Sequence, residues 1–160
     1  MPSPPAPSIR RFTTRLNSLV CYNNRVSALA SEVRLGSILI IDDDESVVHS
    51  FARILTLEGY KVITAMNGSS GLKEAEAVRP DAIILDLRMP IVGGLVFLRR
   101  LRANALQRET PVAIVTGDFF LDDRVSAELQ NLGAALKFKP LWLEDLVGLA
   151  RTLLLHKVSR

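Results

Sequence analysis

From residue 37 onward, short apolar runs alternate with longer segments in which apolar residues recur every three or four positions. Runs of about five residues that are rich in Ile, Val and Ala are typical of buried strands, whereas the wider spacing is typical of amphipathic helices. Proline and glycine residues lie near the segment boundaries, where a missing N–H or a helix end is tolerated. The pattern predicts five strands, at residues 37–41, 61–65, 81–85, 111–115 and 134–138.

A segment of helical length follows each predicted strand. Three of these segments have a clear apolar face, formed by Val47, Phe51, Ile54 and Leu55, by Leu95, Leu98 and Leu101, and by Leu143, Leu146, Leu149 and Leu153. The second segment, near 69–78, is the least apolar, and the fourth lies near 121–132. Strands that alternate with helices predict an α/β fold with a doubly wound, five-stranded parallel sheet and five helices on its two faces. The functional crevice of such a sheet lies at the carboxyl ends of its strands.

The length of 160 residues suits one ordinary domain, and 48% apolar residues with only 6% aromatics suit an aliphatic core. No apolar stretch approaches the roughly 18 residues that a membrane helix needs. The single cysteine, Cys21, has no partner for an internal disulfide, and no Cys and His pair has zinc-ligand spacing. We therefore expect a soluble, cytoplasmic protein with no membrane partner.

The first 36 residues differ in composition from the remainder of the chain. They hold five arginines against one acid, Glu32, and four of the eight prolines lie within the first seven residues. This composition predicts a basic, Pro-rich N-terminal arm at 1–36, separate from a folded domain at 37–160. Apolar residues between Leu16 and Val33 also have the spacing of a short coiled-coil helix. The arm could therefore be a linker, a dimerising helix or the product of an upstream start site, and a transit peptide is less favoured. We expect a monomer or a weak dimer.

Polar side chains of a particular kind occupy the carboxyl ends of the predicted strands. Asp42, Asp43 and Asp44 follow the first strand, and Asp86, Thr116 and Lys139 follow the third, fourth and fifth. Carboxylates crowded at one edge repel one another unless a cation compensates them, and ligands that are all oxygen favour Mg²⁺ over zinc. Asp44 alone, just before a helix, fits an ordinary turn residue or the N-cap of that helix better than a metal ligand. The set as a whole predicts a magnesium site at this edge.

Four short motifs lie at these strand ends: ILIIDDDES at 38–46, ILDLRMP at 84–90, VTGD at 115–118 and KP at 139–140. In their order and separation they resemble the response regulator receiver family of two-component signalling, over about residues 37–155. The resemblance implies a flavodoxin-like sheet of order 2-1-3-4-5. It also implies a phosphorylatable switch that receives its phosphoryl group from a histidine kinase or a histidine phosphotransfer protein.

The resemblance assigns a role to each matching residue. Asp86 corresponds to the phosphoacceptor, and Thr116 and Lys139 correspond to the switch hydroxyl and to the ammonium that contacts the phosphoryl oxygens. Asp42 and Asp43 correspond to the acid pair that holds Mg²⁺, to which Asp86 and the backbone carbonyl of Arg88 also bind. A carboxylate nucleophile and a bridging Mg²⁺ are what an in-line attack on phosphorus requires.

The sequence departs from the family pattern in two places. Leu136 stands three residues before Lys139, where receivers usually have an aromatic residue that reports the movement of the threonine, and the approach to the fifth strand looks one residue short. Gly93 replaces an acid that often precedes the loop glycine, here Gly94. These changes bear on the outgoing signal and on loop stiffness, and all the residues needed for chemistry are present.

Three functions are consistent with these features. We expect a switch that signals by contact with a downstream protein, because no DNA-binding segment follows and the arginines at 99, 100 and 102 fit a solvated helix face better than a nucleic-acid site. A receiver-like interaction module that needs no phosphorylation is the first alternative, motivated by Leu136. An aspartate-nucleophile phosphohydrolase is the second, but such enzymes typically have an acid two residues after the nucleophile, where this chain has Arg88.

Overall fold

A computed structural model describes residues 35–158, with side chains to residue 155, so the predicted arm at 1–36 lies almost wholly outside the described residues. The strands are β1 (Ser37–Ile41), β2 (Lys61–Ala65), β3 (Ala82–Leu85), β4 (Val112–Thr116) and β5 (Ala134–Phe138). All of them are parallel, in the order β2-β1-β3-β4-β5, which confirms the predicted topology.

Two strands begin one residue later than predicted. β4 starts after Pro111 because proline has no N–H to donate to the sheet, although the Pro111 carbonyl still accepts from the Ile83 N–H at 2.9 Å. β3 starts after Asp81, whose carboxylate accepts hydrogen bonds from the backbone and hydroxyl of Ser37. Both of these shifted starts lie at the edge of the sheet opposite the predicted site, and β4 also ends one residue later than predicted, at Thr116.

The helices are α1 (Glu45–Leu57), α2 (Gly68–Val78), α3 (Gly94–Ala103), α4 (Asp123–Asn131) and α5 (Leu143–Val158). α4 is shorter than predicted because the carboxylate of Asp122 accepts from the Arg124 N–H and so caps its start. Gly59 and Gly133 follow α1 and α4 with φ of 92° and 71°, a conformation in which glycine avoids the steric cost of a side chain. The predicted helix ends are confirmed there.

Two apolar layers cover the sheet. Alternate residues of β1, β3 and β4 face opposite ways, so one layer packs against α2, α3 and α4 and the other against α1 and α5. β3 and β4 are buried along their whole length, whereas the edge strands β2 and β5 are partly exposed. The central strands thus hold the site residues at their carboxyl ends on a rigid base.

Two predicted helix faces need correction. In α1 the buried residues are Val48, Phe51 and Leu55, while Val47 is only partly buried, so the face is rotated toward Val48. In α5 the first predicted core residue, Leu143, is the first residue of the helix and is 56% exposed. In the part of the chain that the structure describes, no helix is long and apolar enough to cross a membrane.

Candidate functional site

Two buried carboxylates and one ammonium group meet at the carboxyl edge of the sheet. Lys139 follows β5, and its Nζ lies 2.6 Å from Oδ2 of Asp42, after β1, and 2.8 Å from Oδ1 of Asp86, after β3. The Asp86 N–H donates to the carbonyl of Ile41 at 2.8 Å, which fixes the start of its loop on the neighbouring strand. Three predicted site residues from three strands are therefore in direct contact.

The carboxylates of this cluster are buried, and burial changes their electrostatics. Burial raises the pKa of Asp86, and the nearby Asp42 adds to the increase, although hydrogen bonding to Lys139 opposes it. Burial alone would lower the pKa of Lys139, but its hydrogen bonds to the two carboxylates outweigh that effect and raise it. Lys139 is thus a fixed positive charge, and Asp86 is a carboxylate whose ionised form is costly to keep.

Removing the charge of Asp86 should stabilise the fold. A raised pKa means that the native state holds the proton more tightly than the unfolded state does, so stability is lost as pH rises from about 3.8 through the folded-state pKa. We expect Asp86→Asn to raise the free energy of unfolding at pH 7 by on the order of 1 kcal/mol in Mg²⁺-free buffer. Urea unfolding at pH 7 and pH 4 checks this, since the gain should shrink at pH 4.

Thr116 lies at a different point from the one predicted. It is the last residue of β4 rather than the residue beyond it, and its side chain is fully buried. Its Oγ1 accepts from the Asp118 N–H at 3.2 Å, and its carbonyl accepts from the Lys139 N–H at 2.9 Å. The hydroxyl is therefore tied to the loop that follows β4, while its backbone is tied to the site lysine.

The three consecutive acids after β1 have different surroundings. Asp42 is buried and, besides its contact with Lys139, accepts from the Asp44 N–H at 3.0 Å. Asp43 is exposed at the same strand end. Asp44 caps α1 by accepting from the Ser46 N–H at 2.9 Å, and hydrogen bonds with Ser46 lower its pKa. The helix-cap reading of Asp44 is confirmed.

The donor atoms at this edge suit a hard cation. Oxygen is the only ligand atom offered by Asp42, Asp43, Asp86 and the carbonyl of Arg88, and the Arg88 N–H donates to Oδ2 of Asp86 at 2.6 Å. Between residues 35 and 158 no three acidic, imidazole or thiol side chains gather into a metal cage. Mg²⁺ commonly binds one or two carboxylates and completes its shell with water and phosphate oxygens, so this set fits Mg²⁺.

Two glycines near the site, Gly94 at the start of α3 and Gly117 in the loop after β4, differ in the space available for a side chain. A Cβ on Gly94 would lie 2.4 Å from the carbonyl oxygen of Asp86, whereas a Cβ on Gly117 would meet nothing within 4 Å. We expect Gly94→Ala to cost about 2 kcal/mol of unfolding free energy, because backbone atoms beside Asp86 must move, and Gly117→Ala to cost less than about 0.5 kcal/mol. Thermal unfolding of the matched pair checks this; equal losses would contradict it.

Larger side chains at Gly117 test access to the site. Gly117 follows Thr116 directly, and the space beside it is open. If Asp86 is the phosphoacceptor, as the family resemblance implies, we expect Gly117→Val to leave the fold intact but to slow the reaction of acetyl phosphate with the protein about tenfold, because the added bulk lies just after β4, at the same edge of the sheet as Asp86. Quenched time courses of the phosphorylated fraction measure this, and a rate equal to that of Gly117→Ala would contradict it.

Two contacts between residues that neighbour the site residues were not predicted from the sequence. The guanidinium of Arg88 forms an ion pair with the carboxylate of Asp118, which lowers the pKa of Asp118. Phe119 and Phe138 stack with ring centroids 5.4 Å apart, and the neighbouring Phe120 is 96% exposed. The pairing could not be read from the sequence, because each partner lies on a different loop or strand.

The residue in the usual aromatic position has an ordinary structural role. Leu136 pairs with Ile114 in the β4–β5 ladder and packs, partly buried, against the core. The aromatic residue of β5 is instead Phe138, which pairs in register with Thr116. The strand therefore offers a different aromatic side chain beside the threonine.

A family comparison agrees with the geometry. The sequence model described as the response regulator receiver domain matches residues 38–149. The chain belongs to the response regulator receiver family. Its curated relatives include the transcriptional regulatory protein PrrA of Mycobacterium tuberculosis, 37% identical over 122 residues, which is 76% of this chain and 51% of the relative. Another is the response regulator MprA of Mycolicibacterium vanbaalenii, 35% identical over 73% of this chain and 49% of the relative.

Solved receiver structures share the fold. The chemotaxis protein CheY4 of Vibrio cholerae is 28% identical, with a TM-score of 0.68 over 73% of this chain and 97% of that one. A CheY-like receiver domain protein of Methanospirillum hungatei is also 28% identical, with a TM-score of 0.71 over 77% and 96%. This receiver therefore matches whole single-domain structures but spans about half the length of the curated relatives.

Proposed function

We propose that this receiver accepts a phosphoryl group on Asp86 from a phosphohistidine of a histidine kinase or phosphotransfer protein. The observation that carries the proposal is the contact of the Lys139 ammonium with both Asp42 and Asp86 at the carboxyl edge of the sheet. A carboxylate oxygen of Asp86 forms the new bond to phosphorus while the bond from phosphorus to the imidazole nitrogen breaks. The imidazole leaves with the electron pair of that bond.

The site residues hold and compensate charge during this transfer. Lys139 places a fixed positive charge against the nucleophile and beside the incoming oxygens, in surroundings where electrostatic effects are strong. Asp42 and Asp43, with Asp86 and the Arg88 carbonyl, would hold Mg²⁺, which when bound neutralises charge shared between the nucleophile and the phosphoryl group. The hydrogen bond from the Arg88 N–H to Oδ2 keeps Asp86 oriented while Oδ1 faces Lys139.

Thr116 is the proposed route from chemistry to signal. A phosphoryl group adds acceptor oxygens next to Asp86, and the Thr116 hydroxyl would donate to one of them. Because Oγ1 now accepts from the Asp118 N–H, this movement changes the loop between β4 and α4. The altered loop and β5 would then be read by a downstream protein, with no direct nucleic-acid contact proposed for this domain.

Incubation with Mg²⁺ and acetyl phosphate tests the proposal. Intact mass should show one added phosphoryl group per chain, dependent on Mg²⁺ and lost at high pH, as acyl phosphates are. The proposal would be contradicted if the wild-type protein gained no phosphoryl group from either acetyl phosphate or a phosphorylated histidine protein. Rapid turnover of many phosphate esters would instead favour the phosphohydrolase alternative.

A phosphorylation-independent interaction module is the second candidate. The observation in its favour is Leu136, which packs against the core in place of the usual mobile aromatic residue. The same experiment separates the two candidates, because a module of that kind would not change the amide exchange of the β4–α4 loop on phosphorylation. A clear change in exchange there supports the switch.

A further inference from the structure

The loops that follow β3 and β4 are joined across the site by one ion pair. Nε of Arg88 donates to Oδ2 of Asp118 at 2.8 Å, and the Nη2 group contacts the same oxygen. Arg88 lies two residues after Asp86, and Asp118 lies two residues after Thr116. The pair therefore connects the loop of the proposed nucleophile to the loop of the proposed switch hydroxyl.

The backbone of each partner is bonded to a site residue. The Arg88 N–H donates to Oδ2 of Asp86 at 2.6 Å, and the Asp118 N–H donates to Oγ1 of Thr116 at 3.2 Å. Movement of the Thr116 hydroxyl toward Asp86 would thus give up a bond to the Asp118 peptide or carry that peptide along. The Arg88 side chain opposes movement of the Asp118 peptide because it holds the Asp118 carboxylate.

We propose that Arg88 and Asp118 form a latch that keeps the β4–α4 loop in its resting position and opens when Asp86 carries a phosphoryl group. The proposal rests on the proposed function of Asp86. A phosphoryl group brings negative charge between the two loops, where it attracts the Arg88 guanidinium and repels the Asp118 carboxylate. Both effects weaken the same ion pair, so the group that must draw in Thr116 also releases the loop. Arg88 and Asp118 are positioning residues in this account.

The size of the effect follows from the exposure of the pair. The Arg88 side chain is 68% exposed and that of Asp118 19%, and ion pairs of this kind contribute little in water. A substitution that breaks the ion pair should therefore shift the equilibrium between the resting and phosphorylated conformations only slightly toward the phosphorylated one. We expect Asp118→Asn, which keeps the side-chain shape, to tighten binding of beryllofluoride in the presence of Mg²⁺ about threefold.

A double-mutant cycle distinguishes a latch from a simple change in local charge. Calorimetric titration with Mg²⁺ and beryllofluoride, which mimics a phosphoryl group on a carboxylate, gives Kd for wild type, Asp118→Asn, Arg88→Gln and the double variant. If the latch exists, Asp118→Asn tightens binding only when Arg88 is present. If the acid acts only through its charge, the same factor appears in both backgrounds, which would overturn the proposal.

Amide hydrogen exchange measures the opening of the loop itself, which a change of local charge without a latch would not alter. In the resting protein, amides 117–122 should exchange faster in Asp118→Asn than in wild type, and wild type with beryllofluoride should resemble the variant. Glu58→Gln, which breaks the exposed ion pair between Arg151 of α5 and Glu58 just after α1, is the matched control and should change neither exchange nor Kd. Unchanged exchange in Asp118→Asn would overturn the latch. A wild type that binds no beryllofluoride would instead count against the function proposed for Asp86.

Discussion

Asp86→Asn should abolish the phosphoryl adduct that we expect acetyl phosphate to form with the wild-type protein. Asparagine fills the same space beside Lys139 and keeps an oxygen that accepts from the Arg88 N–H, but its amide is a very poor nucleophile toward phosphorus. We expect the rate of adduct formation to fall by at least about a thousandfold, to below detection by intact mass. Because the substitution removes a costly buried charge, we expect the variant to remain folded.

A matched aspartate variant controls for the chemistry of the substitution. Asp122→Asn changes an exposed acid that caps α4, outside the contacts of Lys139. It should form the adduct at a rate close to that of wild type. An adduct of normal yield in Asp86→Asn would place the phosphoryl group elsewhere and contradict the assignment.

Lys139→Met should be the most damaging change among the residues that do not accept the phosphoryl group. Its removal leaves the buried carboxylates of Asp42 and Asp86 facing each other without a cation. We expect the unfolding free energy at pH 7 without Mg²⁺ to fall by about 3 kcal/mol, and the rate of phosphorylation to fall about a hundredfold. Because protonation removes the repulsion, the stability loss should be much smaller near pH 4.

Lys137→Met is the matched control for that experiment. Lys137 lies two residues earlier in β5 with an exposed side chain, and the substitution is chemically identical. Its unfolding midpoint and adduct yield should stay near those of wild type. Mg²⁺ should restore more stability to Lys139→Met than to Lys137→Met, because the metal supplies the missing positive charge. Equal responses to Mg²⁺ would contradict the role given to Lys139.

The fold could be predicted from the sequence because its signals are local and mutually consistent. Alternating apolar runs and amphipathic segments specify the order of elements, and Gly59 and Gly133 mark helix ends that the structure confirms. The errors are at boundaries. Leu143 has the right residue type for the apolar face of α5, but it lies in the first turn of the helix and is exposed, which the spacing of apolar residues does not reveal.

The site could be predicted in part. Parallel strands bring their carboxyl ends to one edge, so the approach of Asp42, Asp86 and Lys139 follows from topology. Which carboxylate is buried does not follow, and Asp42 and Asp43 prove to have opposite exposures. The ion pair of Arg88 with Asp118 and the stacking of the phenylalanines depend on loop paths, which short motifs do not specify.

Chemical mapping of the phosphoryl group in wild-type protein tests the central proposal most directly. Borohydride reduces an aspartyl phosphate to homoserine, so the protein is treated with acetyl phosphate and Mg²⁺, reduced, digested and examined by peptide mass spectrometry. The proposal predicts homoserine at position 86 and at no other aspartate, only when Mg²⁺ is present during phosphorylation. Homoserine at Asp42 or Asp43, or its absence at position 86 in a protein that carries a phosphoryl group, would contradict it.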